Sequence, residues 1–178
     1  KQQCLSLLRE VNQATVDYAA VEDAIKSDLS LSVKLLHYLN SASMGISNRI
    51  ESIRQAVTLL GEREIRRWAA LVATMCMGED KSPQLVRITL TRARFCERCA
   101  DAGGHSARAF DLFLAGLLST LDALLDEPLD DLLADMPLPM DLKASLLGAD
   151  SPLGWILQLA VACERGQFDV MTQRCTDL

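Results

Sequence analysis

The chain has 178 residues, 49% hydrophobic and 24% charged, which suits one compact domain, or one domain with a small appendage. A formal net charge of −6 argues against nucleic-acid binding, which leans on Lys and Arg neutralising phosphates. No apolar run approaches the ~18 residues that a membrane span requires, and no signal peptide follows Lys1.

Aromatics are 4% and alternating β-branched runs are scarce, so strands are hard to place and the expectation is an all-α fold of about nine or ten helices. Residues 2–12 read as a short amphipathic helix. Asp17 can cap a second helix, to about Lys26, and Asp28 or Ser30 can start a third, with Leu31, Leu35, Leu36 and Leu39 at helical spacing. "SIRQ" at 52–55 has the form of a capping box, in which Ser52 and Gln55 each satisfy a backbone amide of the other's turn. That helix is expected to end at Gly61, where the missing Cβ permits a left-handed C-cap. In the next helix, Ile65, Trp68, Val72, Met75 and Cys76 share an apolar face. Arg63, Arg67 and Ala70 fall opposite, and Glu62 can pair with Arg66 at i, i+4.

Ser82 as cap and Pro83 at the first position start a further helix, which should stop at Gly103-Gly104. Its apolar stripe is Leu85, Ile88, Phe95, Cys96 and Cys99. At ~100° per residue, Arg92 falls inside that stripe. A guanidinium there needs a partner or must snorkel, so Arg92 is a candidate buried arginine, bonded to Asp111 or Asp122. Ser106 should cap a helix running through "LAGLLSTLDALL" (114–125). Its main stripe is Phe110, Phe113, Leu114, Leu117, Leu121 and Leu124, while Ser119 lies with Ala115, Gly116 and Ala123 on a face of small side chains. That face suits close approach of another helix, with the hydroxyl bonding to a carbonyl. Pro128, Pro139 and Pro152 each mark a first helical residue, and a last helix starts near Asp169.

Charge is unevenly spread. Residues 49–98 hold ten Lys or Arg against six acids, whereas Ala109 to Leu142 contains no Lys or Arg and gathers Asp122, Asp126, Glu127, Asp130, Asp131 and Asp135. Residues for chemistry are sparse. The two histidines, His37 and His105, have no second His or carboxylate at i+3 or i+4, so no helical metal pair exists. Of six cysteines only Cys96 and Cys99 form a CxxC, without a second pair to complete a zinc set. They read as reduced thiols. There is no P-loop and no G-x-S-x-G elbow.

The stretch from Asp28 to Leu71 resembles the HDOD domain, a bacterial regulatory relative of the HD-type metal phosphohydrolases. The family pattern of an acidic residue, a leucine-rich helix, Asn-Ser-Ala, Gly, Ile-x-x-Ala and Leu-Gly is matched by Asp28, Leu31, Leu35, Leu36, Asn40, Ser41, Ala42, Gly45, Ile53, Ala56, Leu60 and Gly61. The likeness runs from about Tyr18 to Asp169. Its later half resembles the branch in which an HDOD domain follows an EAL domain, the kind that hydrolyses cyclic di-GMP. No Glu-Ala-Leu triplet is present, so the resemblance implies that an EAL domain belongs to a longer parent. Residues 1–16 would then be an inter-domain segment or N-terminal helix, and 17–178 the HDOD domain.

The resemblance also bears on catalysis. HD hydrolases carry His-Asp at the end of a helix reading roughly "LLHD". Here Ser119 and Thr120 stand in those places, and neutral hydroxyls are weak ligands beside imidazole and carboxylate. The upstream histidine is replaced in the region of Arg92, a cation that repels a divalent metal. The expectation is therefore a non-enzymatic, cytoplasmic regulatory module that needs no cofactor and binds neither nucleic acid nor membrane. It would act on a protein partner or a covalently linked EAL domain through Arg54, Arg63, Arg66 and Arg67, or through the acidic segment 126–135. The alternatives are a nucleotide- or anion-sensing domain using Arg92 or the arginine patch, and a residual phosphohydrolase.

Overall fold

A computed structural model of the chain describes residues 2–13, 15–26, 32–34 and 53–177. Among the described residues there are ten α-helices besides a helical stretch at 32–34, one 3-10 turn and no strand. The chain divides into two compact units, residues 1–77 and 78–178.

In the first unit, α1 (Gln2–Val11) and α2 (Tyr18–Lys26) precede α3 (Ile53–Met77). Asp17 caps α2: its Oδ1 accepts from the amides of Ala19 at 2.9 Å and Ala20 at 3.2 Å. α1 packs on α2 and α3, closing over Leu7, Leu8, Val11, Val21, Ile25, Ile65 and Trp68, all buried. Each such side chain contributes about 1.5–3 kcal/mol of hydrophobic stabilisation. Residues 53–77 are one helix only by continuity of hydrogen bonding. Gly61 sits at φ 69°, ψ 173°, a left-handed backbone that other residues rarely adopt, and it kinks the run where the sequence places a helix end. The core face differs from the expected one. Ala70 is buried with Ala69, Ala73 and Thr74, while Met75 is 46% exposed. Small residues make the contact here, and the flexible Met is left outside.

The second unit holds α4 (Pro83–Ala102), the 3-10 turn Ser106–Arg108, α5 (Ala109–Leu118), α6 (Leu121–Leu125), α7 (Leu129–Ala134), α8 (Met140–Leu146), α9 (Pro152–Arg165) and α10 (Phe168–Asp177). Ser82 Oγ accepts from the Gln84 amide at 3.2 Å and Pro83 opens α4, which ends at Gly103. Ser151 caps α9 in the same way, through the Gly154 amide at 3.1 Å. Pro152 is the first residue of α9, whereas Pro128 and Pro139 stand one position outside their helices. Ser106 caps no α-helix. It begins the 3-10 turn, and α5 starts at Ala109 without a side-chain cap.

The most intimate contact of this unit joins α4 to α5. The buried line of α4 is Thr89, Ala93, Cys96, Glu97 and Ala100, rotated from the expected stripe, and Ile88 is 40% exposed. The reason is Gly116: a Cβ there would lie 2.6 Å from Ala93 Cα and 2.7 Å from its nitrogen. The two backbones approach as closely as a glycine opposite an alanine allows, so small residues face α5 and larger ones are turned aside. α9 packs on α4, α5 and α8, and α10 packs on α9. Each unit carries one tryptophan: Trp68 is buried in the first, and Trp155 is half-buried in the second, donating to Asp150.

Candidate functional site

"LAGLLSTLDALL" is not one helix. α5 stops at Leu118, Ser119 and Thr120 form a turn, and α6 begins at Leu121. Both hydroxyls reach backward to α5. Ser119 Oγ donates to the Gly116 carbonyl at 2.8 Å, and Thr120 Oγ1 lies 3.4 Å from the Leu117 carbonyl. Side chains that satisfy the last carbonyls of a helix compete with its continuation. Thr120 is buried, 2.6 Å from Thr89 Oγ1, which itself donates to Leu85 O at 2.9 Å.

Ser119 faces the other way, toward Arg92. Arg92 Nη1 donates to Ser119 Oγ at 2.8 Å, while Nε and Nη2 make a bidentate pair with the Glu164 carboxylate of α9 at 2.9 and 2.6 Å. The side chain of Arg92 is 12% exposed. Its partner is thus Glu164 and Ser119, not Asp111 or Asp122, because α9 crosses α4 and brings in a carboxylate from far along the chain. Asp111 is engaged by Arg108, which also bonds Asp141 at 2.8 Å. Those bonds hold the Asp141 carboxyl below its ordinary value and raise the Arg108 guanidinium above its own.

One face of α4–α5 is therefore dry and the other polar. Burial pushes the Cys96 thiol up to about 12, with Cys99 adding to the rise and Arg92 opposing it. A thiol so held is neither a nucleophile nor a ready metal ligand. Among the described residues no group of three His, Cys, Asp or Glu side chains lies together as a metal set. Beside Arg92 and Ser119 opens a pocket of about 390 Å³, whose polar lining includes Gln158, Arg165 and Gln167.

The residues expected to form a basic docking patch are differently placed. Arg66 Nε bonds Glu62 at 3.1 Å and its Nη2 donates to the Gln13 carbonyl at 2.8 Å, so it ties α3 to the end of α1. Arg63 is exposed and Arg67 half-buried. The side chain of Arg54 lies outside the described residues, as do those of Ile53 and Ala56. So do Asp28, Leu31, Asn40, Ser41 and Gly45, together with His37 and the capping Ser52. In the acidic segment, Asp126 pairs with Lys81, and Glu127, Asp130, Asp131 and Asp135 are exposed.

A description of the HDOD domain matches residues 2–126, most of the chain and the whole of α1 through α6. The chain belongs to the HDOD domain family. As an HDOD domain it is a regulatory module. The chain is 36% identical over 98% of its length to the cyclic di-GMP phosphodiesterase CdgJ of Vibrio cholerae, of which it covers 40%. It is 31% identical over 94% of its length to the uncharacterized protein YuxH of Bacillus subtilis, of which it covers 41%. The HDOD chain thus spans about two fifths of the length of the curated relatives it matches. No solved structure matches it. Among the described residues no helix is long and apolar enough to cross a membrane.

Proposed function

We propose that this HDOD domain is the C-terminal regulatory part of a longer cytoplasmic protein whose EAL domain hydrolyses cyclic di-GMP, and that it acts through inter-domain or protein–protein contacts. The observation that carries the reading is Arg92 Nη1 bonded to Ser119 Oγ at 2.8 Å, with Glu164 closing the guanidinium. By the resemblance, the cation Arg92 and the neutral hydroxyl of Ser119 would stand where an HD hydrolase needs ligands for a divalent metal. The similarity to a cyclic di-GMP phosphodiesterase supports the messenger, and the coverage of two fifths leaves room for a second domain. In this reading α1 belongs to the HDOD domain, whose family match begins at residue 2 and whose core takes in the buried Leu7, Leu8 and Val11, and the preceding domain would join ahead of it.

Docking falls to the exposed Arg63 together with Arg54 and Arg67, and to the acidic residues 127–135, by charge complementarity. Arg66, bonded to Glu62 and Gln13, contributes less to this surface. The test is phosphodiesterase activity of the full-length parent, with and without residues 18–178, and with Arg63→Glu/Arg67→Glu. A change in turnover on removing the domain, reproduced in part by the charge reversal, is the expected result. Unchanged turnover in both would overturn it.

A further inference from the structure

We propose that the pocket between α4, α8, α9 and the start of α10 is a binding site for a small organic anion, one acidic group on a compact apolar body. Its polar lining is Arg92, Ser119, Ser145, Gln158, Arg165 and Gln167, and no Asp or Glu lines it. Gln158, Arg165 and Gln167 make no side-chain hydrogen bond or ion pair among the described residues, so their donors are unspent. Arg92 presents five N–H donors. Three are taken by Glu164 and Ser119, and the remaining two are free at a guanidinium already held in place. Two arginines against one neighbouring carboxylate leave the site with net positive charge. A planar fork fixed by a second residue is what bidentate recognition of a phosphate or carboxylate uses.

The rest of the lining is largely apolar, with Leu146, Leu157, Val161 and Val170. Inorganic anions gain nothing from such a wall, whereas a ring or short aliphatic body does. At about 390 Å³ the pocket lies near the lower end of ligand-sized cavities, which suits one ring with one acidic group rather than a dinucleotide. Glu164 competes with the ligand for Arg92, so the ion pair that holds the guanidinium in place also weakens its pull on an anion. The site is separate from the docking residues, and it stands or falls independently of the regulatory reading.

Isothermal titration of the 178-residue chain with phenyl phosphate, benzoate and inorganic phosphate tests the proposal. Saturable binding of phenyl phosphate or benzoate, about tenfold tighter than inorganic phosphate, is the expected result, and the stronger of the two identifies the acidic group. Arg165→Ala, on an exposed side chain, should weaken that binding about tenfold, and so should Val161→Glu on the apolar wall. Glu164→Gln should tighten it. Equal affinity for all three anions, no saturable binding, or indifference to Arg165→Ala and Val161→Glu would each overturn the site, with circular dichroism confirming that the variants fold.

Discussion

Two faces of the same helix pair, one residue apart, meet opposite fates. At Ala93 and Gly116 the backbones of α4 and α5 nearly touch, and no polar side chain intervenes. At Arg92 and Ser119, the neighbouring register, a guanidinium spans the gap and borrows a carboxylate from α9. The first contact is fixed by steric exclusion and the second by hydrogen bonds. A close seam leaves no room for ligands between the helices, so the polar residues displaced to its edge are the ones that can face a pocket.

The comparison breaks most sharply at the seam. Gly116→Ala puts a methyl against backbone atoms that cannot rotate away, so α4 and α5 must separate. A loss of about 3 kcal/mol in denaturant unfolding is expected. On the polar side, Arg92→Met removes one partner of a largely buried pair and strands Glu164. About 2 kcal/mol is expected, less than at the seam because Glu164 still reaches solvent. Thr120→Val removes the Thr89 contact while leaving Thr89 bonded to Leu85, and should cost about 1 kcal/mol by the same measurement. If Arg92→Met proves costlier than Gly116→Ala, the ranking of sterics above hydrogen bonding is wrong here.

A smaller effect separates the thiols. Cys96, buried and raised to about 12, should stay unmodified by iodoacetamide at pH 8 in the folded chain, while the half-buried Cys163 reacts. Peptide mass spectrometry reads both. The smallest concerns Asp141. Its carboxyl lies below the ordinary value in the folded state, so its pairing stabilises fully above the unfolded value of 3.8. That stabilisation is lost as the pH falls through the lower folded value. Both partners are more than a third exposed, so solvent screening leaves about 0.3 kcal/mol. Asp141→Asn should lower Tm slightly at pH 7 and not at pH 2.

Punctuation was the legible part of the fold. Asp17, Ser82 with Pro83, Gly61 and Gly103 act within a turn of their own position, where local geometry decides, and the structure places them as their chemistry requires. Faces were less legible. Met75 and Ile88 follow the apolar period yet are exposed: the Gly116–Ala93 contact turns α4 toward its small residues, and in α3 it is Ala69, Ala70 and Ala73 that are buried, residues that a hydropathy stripe undervalues. The break at Ser119 was hidden by leucines on both sides of it, although two adjacent hydroxyls were the available signal. The polarity of Arg92 was readable from its place in the stripe. Its carboxylate was not, since 72 residues separate Arg92 from Glu164 and only the crossing of α9 unites them.

The distribution of tryptophans has an optical consequence. The chain has only two, one per unit, with Trp68 enclosed and Trp155 in partial contact with water. Trp68 should emit at shorter wavelength than Trp155, and Trp155→Phe or Trp68→Phe leaves a reporter in one half alone. Melting followed by fluorescence in that pair of variants reads each half separately, and coincident transitions would mean that the two halves unfold as one cooperative body.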